Sequence, residues 1–99
     1  MARIDTVLLS HLASSCDTEG DYLRAIIRLK GETNASLGRK MGTTGEYVSM
    51  CVNNKSSIGI KARLKFARAL DIDPYAFNRG FADHEMKKLI ESESKLPTK

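Results

Sequence analysis

At 99 residues the chain has the size of one domain with a single core, and a second, ligand-sensing domain is not expected in it, so regulation is expected from partners, self-association or abundance. Hydrophobic residues make up 41% and charged residues 28%, which excludes the apolar-poor balance of a disordered chain. The formal net charge of +4 is small, and its placement says more than its size.

From Asn34 to Leu70 seven cations (Arg39, Lys40, Lys55, Lys61, Arg63, Lys65, Arg68) stand against Glu46 alone, giving +6. The residues before carry four cations against five acids and those after carry five against six, so each flank is −1. A positive excess confined to one segment suits a polyanion, because each phosphate neutralised releases condensed counterions. Cys16 and Cys51 lack the spacing of a disulfide framework or a zinc site, and a reducing cytosol fits them best. Val7-Leu8-Leu9 ahead of Ala13-Ser14-Ser15-Cys16 imitates a lipoprotein signal. The apolar run is broken by Ser10 and His11, and Asp5 cancels Arg3 where a positive leader is required. No stretch has the length of a membrane span, so the expectation is a cytoplasmic protein without a membrane partner.

Spacings of three and four recur throughout, and no alternating run of strand length interrupts them. Residues 3 to 15 put Ile4, Val7, Leu8 and Leu12 on one stripe, an amphipathic helix whose face needs cover. Thr18 caps a second helix, with Asp21 in the third position and Leu23, Ile26, Ile27 and Lys30 along its stripe, Tyr22 and Leu29 beside it, and Gly31 as its stop. Thr33 caps a third, short helix carrying Leu37 and Met41 and ending at Gly42. A fourth runs from Thr44 to Asn53. The fifth, Ile60 to Leu70, is expected to turn Ile60, Leu64, Ala67 and Leu70 inward, with Phe66 near the edge and Lys61, Arg63, Lys65 and Arg68 left for solvent or phosphate. Asp73-Pro74 opens a short helix as cap and first helical residue. After Gly80 a last helix capped by Asp83 is expected, with Phe81, Met86, Leu89 and Ile90 as its apolar face. The resulting division is an N-terminal helix at 1–17, a main domain at 18–78, a C-terminal helix at 79–93 and a frayed tail at 94–99.

Residues 34 to 54 read as two helices crossing at a tight turn. Leu37 and Met41 face the core from the first helix, Val48 and Cys51 from the second. Gly38 falls where the axes approach most closely, and Gly42 at the corner, where a positive φ is needed. The stretch Asn34-Ala-Ser-Leu-Gly-Arg-Lys-Met-Gly42-Thr-Thr-Gly-Glu-Tyr-Val48-Ser-Met-Cys51-Val-Asn53-Asn54-Lys55 resembles the helix-turn-helix of the Cro/C1 (XRE-type) family of phage and bacterial regulators. The likeness extends over about residues 18 to 78, through the Lys55-Ser56-Ser57 connection and the helix ending Phe66-Ala-Arg-Ala-Leu-Asp-Ile72. It implies an all-α, lambda-repressor-like five-helix DNA-binding domain, here with extra N-terminal and C-terminal helices.

The same resemblance implies that the helix from Thr44 to Asn53 lies in the major groove, with Thr44, Gly45, Glu46, Ser49 and Met50 nearest the base edges. Tyr47 has two equal readings, against sugar, base or phosphate, or packed at the domain edge. Phosphate contacts are implied for Asn34, for Arg39 or Lys40, and for Asn53 and Lys55. The cationic stripe at 61 to 68 reads equally as the solvated side of a helix or as a phosphate contact, and Lys61, nearest the DNA-facing loop, is the one of it expected to meet phosphate. Three positions depart from the family pattern. Asn34 stands where Gln is commoner, Asn54 replaces a common glycine and can hold a left-handed cap, and Gly45 and Glu46 replace amide or basic readers. Glycine reads nothing, and glutamate can only accept a hydrogen bond, so recognition through water or DNA shape is expected.

The function implied is sequence-specific binding of double-stranded DNA by a homodimer on a palindrome, with repression by promoter occlusion as the mechanism. Candidate dimer surfaces are the N-terminal residues Ile4, Val7, Leu8 and Leu12 and the C-terminal Phe81, Met86, Leu89 and Ile90. The alternative is an antitoxin or phage-encoded adaptor that uses the same fold to hold a protein partner. No nucleophile with a nearby base and no phosphate-cradling loop argues for an enzyme, and no cofactor, metal or small-molecule ligand is expected. Cys51 reads as a small core residue rather than a redox switch. His11 and His84 read as surface or interface histidines, since neither has ligating neighbours.

Overall fold

The computed structural model describes residues 6 to 94, with only the backbone described at Thr6 and Ser94. Within that range the fold is all-helical: α1 (Thr6–Ser15), α2 (Glu19–Leu29), α3 (Asn34–Met41), α4 (Gly45–Val52), α5 (Ile60–Ala69) and α6 (Pro74–Ser94). Among the described residues no helix is long and apolar enough to cross a membrane.

Local sequence chemistry sets the helix ends. Thr18, Thr33 and Thr44 sit in extended backbone and accept hydrogen bonds from the main-chain N–H groups of Asp21, Ser36 and Tyr47, respectively. Ser36 returns a bond to the Thr33 N–H, which completes a capping box with serine in the reciprocal role. The α2 to α5 helices all close with the same pair of main-chain bonds, the N–H of one residue reaching three back and the next reaching five back. The turning residues are Gly31, Gly42, Asn54 and Asp71, all with φ between 56° and 74°. Asn54 and Asp71 adopt this conformation without being glycine, as short polar side chains most readily do. Asp73 Oδ2 accepts from the Ala76 N–H and Pro74 opens α6, as expected.

Several expectations are corrected. The α6 helix does not break at Gly80 and restart at Asp83; it is continuous over 21 residues and crosses the expected boundary at 78/79. Gly80 is there because of a contact: a Cβ on it would lie 2.3 Å from Cζ of Tyr22. The Tyr22 ring is fully buried against α6, stacked on Phe77 at 5.9 Å and edge-on to Phe81 at 5.3 Å, and its hydroxyl donates to the Phe77 carbonyl at 3.2 Å. Phe81, expected as a dimer residue, is accordingly part of the core at 0% exposure.

Helix α5 is rotated from its expected setting. Ile60 is 65% exposed and Leu64 39%, while Phe66 and Ala67 are fully buried and Arg63 is 8% exposed. Arg63 is removed from the cationic surface because every part of its guanidinium is engaged. Nε donates to the Ile58 carbonyl at 2.9 Å, Nη1 to Asn78 Oδ1 at 2.9 Å and Nη2 to Glu85 Oε2 at 2.7 Å. The Arg63 Nη2 also lies 3.6 Å from Glu19 Oε2, and the guanidinium covers the Phe81 ring at 4.9 Å. Burial holds the Glu19 carboxyl above the usual carboxylate range, with the Arg63 charge opposing.

Helix α1 is rotated too: Leu9 and Ala13 are its buried residues, Leu12 is half-buried against the core, and Val7 and Leu8 are exposed. Ile4 lies outside the described residues, as does the expected tail beyond Ser94. The α1 helix packs on α6 and shares the core with α2, so it is not a separate element. Its C-terminal end is tied down by His84, which is buried rather than superficial. The two ring nitrogens of His84 lie 3.0 Å from the Gly80 carbonyl and 2.9 Å from the Cys16 carbonyl.

Two outcomes follow from these contacts. A helix-interior Gly→Ala change ordinarily stabilises by about 1 kcal/mol; Gly80→Ala should instead destabilise by about 1–3 kcal/mol, because the methyl overpacks against the Tyr22 ring. Chemical denaturation gives the sign directly, and a gain in stability would show that the ring can move. Replacing Arg63 by Met keeps most of the volume and strands Glu19 and Asn78, which should cost about 2–4 kcal/mol at neutral pH in the same experiment.

Candidate nucleic-acid interface

The α3 and α4 helices pack with their backbones in contact. A Cβ on Gly38 would lie 2.5 Å from the Thr44 carbonyl carbon, and one on Gly45 would lie 2.9 Å from the Ala35 Cα. Two glycines therefore face the same crossing from opposite helices. Gly42 turns the corner at φ 74°, and the Thr43 N–H reaches back to the Gly38 carbonyl at 2.8 Å. Leu37, Val48, Cys51 and Val52 anchor the pair in the core.

The outer stripe of α4 follows from this docking. Glu46 and Met50 are exposed, Ser49 is half-exposed, and Asn53 caps the helix and is exposed. These four stand at helical spacing along one face. Thr44 is exposed as the N-cap, its hydroxyl occupied by the Tyr47 N–H. Gly45 is not an outward position, since its α-carbon faces Ala35 across the crossing. Tyr47 takes the second of its two readings: its ring stacks on Phe66 at 6.3 Å with 13° between planes, and burial raises its phenol above the ordinary value. Cys51 is fully buried and burial likewise raises its thiol, which leaves it a packing residue.

Of the cations and amides expected at phosphate, Asn34 and Asn53 line one concavity and Lys61 another, while Arg39, Lys40 and Lys55 lie in neither. Asn34 opens α3 and lines a concavity of about 330 Å³ with Asn53, Thr33, Arg24 and Arg28. Arg24 Nη2 donates to Asn53 Oδ1 at 2.8 Å and to the Val52 carbonyl at 3.3 Å, so it bridges α2 to the end of α4. Lys61, with Lys65 beside it, lines a second concavity bordered by Met41, Gly42, Thr43 and Tyr47, next to the α3 to α4 turn. Arg39 and Lys55 are exposed. Lys40 is ion-paired with Glu32, and Glu32 also accepts from the Ser36 hydroxyl at 2.6 Å. Those hydrogen bonds hold the Glu32 carboxyl below its usual range.

Arg24 and Arg28 escaped sequence reasoning, although they stand four apart on the polar side of α2 and so share a face. They lie outside the segment holding the positive excess, and only the packing of α2 against α4 brings them beside Asn53. That packing runs through Asn54. Its Oδ1 accepts from the Gly20 N–H at 2.9 Å, and its Nδ2 donates to the Thr18 hydroxyl at 3.1 Å. A glycine at 54 would supply the turn and lose both bonds.

Gly45→Ala discriminates a packed from an outward glycine. An outward position would gain about 1 kcal/mol in helix propensity; here the methyl meets the Ala35 backbone, and a loss of about 1–3 kcal/mol is expected in denaturant unfolding. Gly38→Ala should cost at least as much, since its methyl would also meet main chain rather than a movable side chain.

Compared with protein-family models, with curated proteins and with solved structures, the chain matches none.

Proposed function

We propose that this chain is a sequence-specific double-stranded DNA-binding regulator of the Cro/C1 helix-turn-helix type, acting as a homodimeric repressor. The observation that carries the reading is the α3 to α4 crossing at Gly38 and Gly45, turned by Gly42, which leaves Glu46, Ser49, Met50 and Asn53 on one outward stripe. An α-helix with its side chains is about 10–12 Å across, which suits a major groove about 12 Å wide. Arg24 and Arg28 beside Asn53, Lys61 beside the α3 to α4 turn, Lys55 just beyond α4 and the exposed Arg39 are the side chains we assign to phosphate.

The division of labour follows from chemistry. Arg24, Arg28, Lys55, Lys61, Asn34 and Asn53 fix the position of the domain on the duplex without reading sequence. Glu46 accepts from a cytosine amino group, Ser49 donates or accepts, and Met50 offers apolar contact to a thymine methyl. With Gly45 turned inward and Tyr47 packed on Phe66, the number of direct readers is small, and sequence preference draws on bridging water and duplex deformability. A second reading, as an adaptor or antitoxin that holds a protein partner, is favoured by one observation, the exposed Val7, Met86, Leu89 and Ile90.

Selection of binding sites from random duplex DNA at two salt concentrations tests the proposal. A palindromic consensus is expected. Lys55→Glu and Arg28→Glu should weaken binding across all sequences alike and lower the slope of log affinity against log salt by about 1 each or more. Glu46→Gln should change the preferred base at one position while leaving that slope unchanged. Enrichment of no sequence, with affinity that vanishes at moderate salt, would remove the regulator reading in favour of the adaptor.

A further inference from the structure

The continuous α6 helix has two faces with different fates. Ala76, Phe77, Gly80, Phe81 and His84 point into the core. The opposite face carries Tyr75, Arg79, Ala82, Met86, Leu89 and Glu93, at successive spacings of 4, 3, 4, 3 and 4 residues. That is the spacing of a helix-pairing seam, and all six residues are exposed, Tyr75 at 83%, Met86 at 56% and Leu89 at 53%. Neither α5 nor α1 covers it. The α5 side of the helix is the one bearing Asn78 and Glu85, which hold Arg63, and the α1 side is the one bearing Asp83, His84 and Lys87.

The seam is self-complementary under one arrangement. About a point between Ala82 and Met86, an antiparallel two-fold sets Ala82 against Met86, Arg79 against Leu89 and Tyr75 against Glu93, small against large and cation within a turn of acid. A parallel arrangement would instead place Arg79 on Arg79 and Glu93 on Glu93, with like charges opposed. At the Tyr75 end the seam opens into a concavity of about 490 Å³, lined by the outward Ile60 and Leu64 of α5 and bordered by Lys61 and Arg68. That end is apolar and cationic, whereas the other end is apolar and acidic at Glu93. From Tyr75 to Glu93 the seam is about 27 Å long.

We infer that a second copy of this chain docks on the outer face of α6, antiparallel, with the Leu89 to Glu93 end of each copy over the Tyr75, Ile60 and Leu64 groove of the other. The docking gives the exposed Ile60 and Leu64 their cover and uses the charges that flank them. It rests on the homodimer in the reading above and not on DNA binding. It assigns α6, rather than the Val7 and Leu8 face of α1, as the pairing surface.

Sedimentation velocity of the full chain over a concentration series, without DNA, tests it. The expected particle has twice the 11.0 kDa chain mass. Met86→Lys, at an exposed position that leaves the core intact, should weaken self-association at least about a hundredfold with unchanged helical circular dichroism. Arg79→Glu should weaken it about tenfold, and Arg79→Glu with Glu93→Arg should recover it, since the pair is restored with its signs exchanged. A monomer at every concentration overturns the inference, as does a dimer indifferent to Met86→Lys, which would pair elsewhere. Failure of the double exchange to recover association overturns the antiparallel register. A dimer that binds no DNA leaves the seam standing and removes the DNA reading; a monomer that binds DNA does the reverse.

Discussion

The fit of the Tyr22 ring onto Gly80 is the contact on which the rest of the molecule is arranged. Gly80 removes the one side chain that would keep α2 away from α6, and the ring fills that approach down to the glycine backbone. Phe77 and Phe81, one turn apart on α6, bracket the ring, and His84 one turn further along stands 6.1 Å from it. Because His84 also reaches the Cys16 carbonyl at the end of α1, one side of α6 organises both α1 and α2. Burial raises the Tyr22 phenol well above its ordinary value, in keeping with a hydroxyl that stays protonated and donates to the Phe77 carbonyl. The cost of an interior helix glycine, about 1 kcal/mol, is small beside the aromatic burial it permits.

A second constraint is electrostatic and sits on the other side of α6. Arg63 is nearly buried, and its three donating nitrogens reach partners in the α4 to α5 connection and α6, with Glu19 of α2 close by. Satisfying a buried guanidinium this fully avoids the penalty that an unpaired one would impose. It also fixes the rotation of α5: with Arg63, Phe66 and Ala67 inward, Ile60 and Leu64 must point to solvent. The apolar groove on the surface is thus a consequence of an ion cluster in the interior.

What the sequence disclosed divides along the same line. The caps at Thr18 and Thr33, the turns at Gly31, Gly42 and Asn54 and the close approach at Gly38 are legible, because these residues act on backbone groups a few residues away, whereas Thr44, expected as the start of the fourth helix, is its N-cap. The inward faces of α1 and α5 each differ by a small rotation from the ones that apolar spacing predicts. In α5 the true stripe is headed by a cation, Arg63, and a pattern search that counts only apolar residues passes over it. Local sequence places a helix boundary near Gly80; only the distant Tyr22 ring explains a glycine inside one continuous helix. For the candidate site, the turn and the outward stripe could be placed from spacing, whereas Arg24 reaching Asn53 depends on helix packing across 29 positions. Gly45 shows the limit of a spacing argument, since the same residue fits an empty reading position and a tight crossing.

These two constraints also bear on how the proposed interface works. A stripe of few readers discriminates weakly by itself, so orientation must come from a rigid frame around it. Asn54 provides part of that frame by joining the end of α4 to the start of α2 through Gly20 and Thr18, and Arg24 provides another part through Val52 and Asn53. Both tie the candidate recognition helix to α2, the helix seated on Gly80 through Tyr22. Helix α4 is thus joined to α6 through packed side chains and two hydrogen-bonded clamps rather than through a flexible linker. Under the proposed docking, the helix that would set the spacing between two copies is the same α6 that seats α2 through Gly80 and Tyr22.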